Sequence, residues 1–438
     1  MVFAGPLHPD FNSSEPVAKR HSGSPSTYHS WNGESALESP TCRTGVSPAG
    51  TGASAYLFDC EADCYEEDDV EQDLYSTHKK FLVPDQNNQM LNRSIAAEDP
   101  NDYKLPPSEI LEPEEPISNP NSPDLEERAQ AFVLETKRIV IPGYPDAFNP
   151  SIIRWKGRLL MAFRTYHPKL RSTNEIAYVY LNEKFNPEGE PKFLKFRYPD
   201  PLCLNKRQDP RLLAADGKLY VIYNNAVKGE VRRMLVGVVE TDGDDLIVNQ
   251  VQCLFHFDAE REQRSEKNWV PFDYKGRVHL AYSLVPHRIL SPLNGLNACE
   301  TIASSLAAVK WNWGVLRGGT SALLEGGQYL AFFHSSKSMA TQHSKGRSIP
   351  HYFMAAYTFS AEPPFHLTSM SPEPIVGKNF YKGPAYKTWK PLRVVFPGGY
   401  VADEKYIWVL YGRQDHEIWV AKMDKKGLLD SLIPVASP

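Results

Sequence analysis

NPSIIRWKGRLLMAFR, from Asn149 to Arg164, and DPRLLAADGKLYVIYN, from Asp209 to Asn224, are two copies of one unit. Each opens on a polar residue and a proline, runs through a short apolar stretch, turns at Lys-Gly or Asp-Gly, and ends a second apolar stretch on a polar side chain. Three more copies follow: KNWVPFDYKGRVHLAYS from Lys267, RGGTSALLEGGQYLAFFH from Arg317 and LRVVFPGGYVADEKYIWVLYG from Leu392. Turns of this kind between Val-, Ile-, Tyr- and Phe-rich runs are hairpin signals. The runs are short, alternating or wholly apolar, without the 3.6-residue period a helical solenoid needs.

A further β-like run follows each copy: NEIAYVYL, RRMLVGVVE, IASSLAAVKW, HYFMAAYTF and HEIWVAKM. Units of roughly 50 to 60 residues, each able to form a four-stranded sheet, are the size of propeller blades. The reading is an all-β chain whose residues 130–438 form a five-bladed β-propeller. VLETKRIVIP, from Val133 to Pro142, precedes the first copy and is placed to close the last blade.

Residues 1–125 have a different texture. They are rich in Ser, Pro, Gly, Asn and acids, with the run Glu66-Glu67-Asp68-Asp69 and a Pro/Glu stretch from Leu105 to Pro116. Such a segment buries too little apolar surface to offset the chain entropy lost on folding, so a disordered, acidic, Ser/Pro-rich tail is expected. A solvated tail with no role of its own is the simplest account of it; docking or phosphorylation is the alternative.

The whole chain has 438 residues and a formal net charge of -5. Its isoelectric point near 6.2 lacks the basic footprint of a nucleic-acid or membrane surface. No apolar stretch approaches the roughly 18 residues of a membrane span, and no leader pattern opens the sequence. The six cysteines form neither a zinc spacing nor a disulfide framework. Together these suggest an intracellular, cytoplasmic protein with no metal and no cofactor.

In a propeller the start of each blade's first strand and the end of its second open on the same face. Those positions hold Asn149, Asp209, Lys267 with Asn268, Arg317 and Arg393 at the starts, and Arg164, Asn224, Ser283, His334 and Asp415 at the ends. Any one of these could be ordinary wet rim. As a set they suit carbohydrate, whose hydroxyls are bound by fans of Asp, Asn, Arg and His. Trp155, Trp269, Tyr282, Trp311 and Trp313 could face a sugar ring, though each is more simply a packing residue.

Cleaving a glycosidic bond needs an acid for the departing oxygen and a nucleophile on the opposite face. Asp209, beside Arg211 at the start of an inner strand, is the candidate acid; its bland alternative is a turn or salt-bridge Asp. The rest of the set is poor in carboxylates and rich in cations. Arg164, Arg288, Arg317 and His334 could cradle phosphate through forked bonds, with Gly318-Gly319 allowing backbone approach. No Walker loop or dinucleotide fingerprint accompanies them.

At this point the chain resembles glycoside hydrolase family 130, the inverting β-mannoside phosphorylases, and the related glycosyltransferase family 108. The resemblance runs from about Asn149 to Asp424 through FNPSII with LLMAFR, QDPRLL, EKNWVPFDYKGRVHLAY, GGTSALLEGGQYLAFFH and VVFPGGYVADEKYIWVLYGRQD. It implies Asp209 as general acid, Asn149, Arg164 and Asp415 as sugar ligands, and His334 as a phosphate contact. Arg211, Lys267 and Asn268 join the expected sugar-binding group, and Arg288 and Arg317 the phosphate group.

Gln208 stands where the family has Glu, and Tyr282-Ser283 where it has a His-Arg pair, so one expected phosphate ligand is missing unless His287 or Arg288 supplies it from the following loop. The implied reaction is attack of inorganic phosphate, a co-substrate, on a β-mannoside with inversion, or the reverse synthesis. The expected partners are an oligosaccharide or sugar phosphate, with homo-oligomerisation left open. A β-mannosyltransferase, an inverting hydrolase and a non-catalytic glycan-binding propeller remain as alternatives.

Overall fold

The computed structural model describes residues 111–112, 116, 118–166, 174–197, 206–226, 231–254, 265–293, 297–388 and 390–436. Five sheets follow one another along the chain, as the repeats require. Blade one is Phe148–Trp155, Arg158–Tyr166, Asn174–Leu181 and Pro187–Phe193. Blade two is Gln208–Ala215, Lys218–Ala226, Arg232–Asp242 and Asp245–Leu254, with Lys195–Phe196 added in parallel at its outer edge. Blade three is Val270–Tyr274, Arg277–Ser283, His287–Pro292 and Cys299–Ser305.

Blade four breaks its first strand into Val315–Gly318 and Leu323–Glu325, both on Gln328–Ala340, and continues with Ser348–Ser360 and Leu367–Met370. Blade five is Val395–Ala402, Tyr406–Arg413 and Glu417–Asp424. Its outer strand is Val133–Ile139, antiparallel to Glu417–Asp424. The expected closing strand is therefore in place, and the ring shuts by sharing a blade between distant parts of the chain. The C-terminal Ile433–Pro434 also extends the outer edge of blade four.

Each pair of neighbouring blades shares one apolar cluster. Met161 and Phe163 of blade one meet Leu410 and Val420 of blade five, and Tyr178 meets Val221 and Val248 of blade two. Leu213 and Met234 meet Trp269 and Leu290 of blade three, Phe272 meets Phe333 and Tyr357 of blade four, and Phe332 and Phe353 meet Val409 and Tyr411. Five such interfaces close a ring, and fully burying each large side chain contributes roughly 1.5–3 kcal/mol.

Two expectations change. The third strand of blade three is His287–Pro292, whereas IASSLAAVKW contributes only to the fourth, Cys299–Ser305. Its apolar residues are largely exposed or half-buried, Ile302 at 40% and Leu306 at 67%, so they suit the outer edge rather than the inner sheet. The end of the acidic tail is also not solvated as far as 125. Leu111 bridges Tyr386, and Glu112 pairs with Arg393 and Arg347. Leu125 is buried in the cluster between blades four and five, because three carboxylates there have cationic or N–H partners on the propeller. The expectation of disorder for residues 1–110 falls outside the described residues. Among the described residues no helix is long and apolar enough to cross a membrane.

Candidate active site

Two backbone bulges create the centre of the site. Blade one pairs Phe148 with Arg164 and then Ser151 with Ala162; blade two pairs Gln208 with Asn224 and then Arg211 with Ile222. The extra residues are Asn149-Pro150 and Asp209-Pro210. A bulge re-aims a side chain, and proline suits it because it has no N–H to leave unpaired. Asn149 and Asp209 take left-handed conformations, φ 46° and 53°. Asn268, Gln414 and Asp415 do the same at 63°, 56° and 52°. Backbone held in this region by non-glycine residues gathers at functional sites.

Asn149 Nδ2 donates to Asp209 Oδ1 over 2.9 Å. An ionised carboxylate only accepts, which fixes the amide and turns Asn149 Oδ1 away. Arg164 Nη1 lies 3.5 Å from the same Asp209 oxygen, its Nε donates to Asn174 Oδ1 over 3.0 Å, and its guanidinium lies over the Phe148 ring. Burial alone would push the Asp209 carboxyl up, but Arg164, Arg211, the Asn149 bond and Lys267 outweigh it and hold it below its usual value. Asp415 goes the other way: burial raises it and the neighbouring Asp209 adds to this, with Arg164 only partly offsetting.

Arg317 pairs in register with His334 across blade four. His334 is buried, its Nδ1 bonded to Gly318 O at 2.7 Å. Burial, then Arg317 and Arg211, push it down to about 3, so it is a neutral imidazole at physiological pH. The mutual electrostatic influence of Asn149, Arg164, Asp209, Arg211, Lys267, Arg317, His334 and Asp415 draws on all five blades.

Arg211 is also structural. Its Nε bonds Gly319 O, and Nη1 bonds Asp209 O and Pro210 O at 3.2 and 2.9 Å. It staples the blade-two bulge to blade four, and burial pushes it down to about 10. Its Nη2, together with Asn149 Oδ1, Asn268 Oδ1 and Gln414 Oε1, is buried without a hydrogen-bond partner among the described residues. Unsatisfied buried polar atoms call for an explanation. Two of the four belong to Asn149 and Arg211, which act directly on Asp209, and such atoms fit a ligand rich in hydroxyls.

Glycine permits the close approach. A Cβ on Gly412 would overlap Asn149 Oδ1, and one on Gly318 would overlap Asn268 O.

Other expected residues lie elsewhere. Arg288 is on the third strand of blade three, one strand farther from the axis than Ser283, and its Nε donates to Thr301 Oγ1 over 2.9 Å. Arg393 is buried against Glu112 and is part of the tail's docking site. Asn224 holds Arg232 through its Oδ1 at 3.1 Å, and Ser283 Oγ bonds Pro286 O. Trp269 is core, its Nε1 bonded to Glu266 at 3.1 Å, and Trp313 bonds Glu373. Gln414 was not among the sequence candidates. Its signal was the GRQD stretch that also carries Asp415.

No protein-family model matches the chain, and neither does any curated protein. Solved structures similar to it include a glycosyl hydrolase from Bacteroides ovatus, with TM-score 0.49, 14% identity, and coverage of 72% of this chain and 99% of that one. A β-1,2-mannobiose phosphorylase from Listeria innocua gives TM-score 0.46 and 14% identity over 71% and 96%. A GDP-Man-dependent mannosyltransferase from Leishmania mexicana gives 0.48 and 14% over 67% and 91%.

Proposed function

We propose that this propeller is a carbohydrate-active enzyme that carries out inverting phosphorolysis of β-mannosides, or the reverse synthesis. The observation that carries the proposal is Asp209, re-aimed by a bulge into a ring of cations from four blades, Arg164, Arg211, Lys267 and Arg317. In phosphorolysis a phosphate oxygen attacks the anomeric carbon from one face, and the bond to the departing sugar breaks. Asp209 gives its proton to that sugar's oxygen, leaving α-mannose 1-phosphate. Mannose and the inverting outcome come from the family resemblance.

With no anion in the cradle Asp209 is ionised, and in synthesis it would take the acceptor hydroxyl's proton as a base. A phosphate dianion in the cradle would offset the cations and raise Asp209 toward the protonated form the cleaving direction requires. Asp415, Asn149 and the orphaned amide oxygens would hold the sugar, with Arg164 between both carboxylates. Arg317 and the neutral His334 would contact phosphate.

The ionised Asp209 favours one second reading, a transferase using an activated sugar donor. Both readings are tested by measuring sugar 1-phosphate released from a panel of β-mannosides with and without inorganic phosphate, in wild type and Asp209→Asn. Phosphate-dependent release, lost in the variant, supports the phosphorylase. Elongation from a nucleotide sugar alone supports the transferase, and glycan binding without turnover in any assay overturns both.

A further inference from the structure

The tail's described end grips one loop at both of its ends. Glu126 is a buried carboxylate that accepts three backbone N–H bonds, from Asn379 at 3.0 Å, Tyr381 at 2.9 Å and Lys382 at 2.7 Å. At the loop's other end Glu112 N donates to Ala385 O over 2.9 Å, and Leu111 bridges Tyr386. Asp124 adds an ion pair to Lys382 at 2.9 Å.

The same loop grips the turn that carries Asp415. Lys382 O accepts from Arg413 Nη2 at 2.8 Å. The Tyr386 ring stacks on His416 with centroids 4.5 Å apart and planes 4° apart. Tyr386 OH donates to Glu417 Oε1 over 2.6 Å. Arg413, His416 and Glu417 flank Gln414 and Asp415, both in the left-handed conformation. A turn in that conformation needs its surroundings to hold it, and this loop touches it on both sides.

We propose that Leu111, Glu112 and residues 118–128 act as a strap that sets the Asp415 turn, with Tyr386 the positioning residue that carries strap docking to the sugar site. This rests on the reading of that site as a sugar site. The strap gives the end of the acidic segment a role, since its carboxylates meet N–H groups and cations of blades four and five rather than water.

The test uses the full chain and the variants Glu126→Gln, Tyr386→Leu and Tyr386→Phe. Gln at 126 replaces one acceptor oxygen with a donor facing an N–H. Leu at 386 removes the stack, whereas Phe keeps it. Backbone hydrogen exchange is read at 413–417 against the inner strand 395–402 of the same blade. Glu126→Gln and Tyr386→Leu are expected to speed exchange at the turn alone, and Tyr386→Phe to recover most of the protection.

KM for the cleaved β-mannoside is expected to rise roughly ten- to a hundredfold in the first two with kcat changed less, the scale of a small misplacement. Unchanged exchange at the turn in both variants overturns the strap. Faster exchange there in a protein whose wild type ignores every β-mannoside keeps the strap and overturns the sugar reading.

Discussion

Asn149 and Asp209 stand at equivalent bulges of adjacent blades, and the amide of the first donates to the carboxylate of the second over 2.9 Å. Because the bond favours the ionised form, it is one of the forces keeping Asp209 below its usual value. Asn149→Ala removes it. The Asp209 titration should move to higher pH, and so should whichever limb of the pH–rate profile it controls, in cleavage or in synthesis. Activity at the optimum should fall about tenfold or more, since hydrogen bonds to charged groups contribute about 1.5–3 kcal/mol. A pH–rate profile with its limbs unmoved would separate Asn149 from Asp209.

That pairing was legible as repetition. Asn-Pro and Asp-Pro open the first two units, so one structural account had to serve both, and the fold followed from the five copies. The sequence could not say which arginines act on Asp209 and His334. Arg164 lies beside Asp209, Arg317 pairs in register with His334, Arg211 acts on both while stapling two blades, Arg288 lies one strand out, and Arg393 binds the tail. For two of them the deciding partner is distant in sequence: Gly319 is 108 residues from Arg211, and Glu112 is 281 residues from Arg393. The tail's last segment was unreadable for the same reason, because composition reports what a segment can bury alone and not the cations waiting elsewhere.

Gly412 shows how little room the site has. Its missing Cβ leaves space for Asn149 Oδ1, so Gly412→Ala should displace the amide or push blades one and five apart. Overpacking of this kind costs typically about 1–3 kcal/mol. Chemical denaturation should show that loss, and activity should fall with it. A variant with unchanged midpoint and activity would mean that the two strands yield freely.

The two carboxylates predict opposite stability changes at neutral pH. Asp209 is held below its unfolded value, so its ionised form stabilises the fold above that value and the contribution is lost as pH falls. Asp415 is raised, so its ionised form is a net cost at neutral pH that protonation relieves. Asp209→Asn should therefore lower Tm and Asp415→Asn should raise it, while both weaken turnover. Tm shifts of the same sign would show that the neighbours do not divide the pair in this way.

Acid sensitivity should come from three buried histidines. His287, His334 and His351 are at most 1% exposed, and their Nδ1 atoms bond the carbonyls of Phe365, Gly318 and Ile349 at 2.6, 2.7 and 2.8 Å. A carbonyl only accepts, so each Nδ1 carries the proton of a neutral ring. Burial pushes them down to about 4, 3 and 4. The unfolded chain takes up these protons from about pH 6.5 downward, and the folded chain does so only near 3–4. Stability is thus full above pH 6.5 and falls as the solution is acidified, approaching about 4 kcal/mol per pH unit near pH 5 for three protons. Replacing His334 with Gln should reduce that slope by about a third, measured as the pH dependence of the unfolding free energy. A midpoint that stays flat from pH 7 to pH 5 would mean that these rings are protonated in the folded protein, and that His334 meets an anion as a cation.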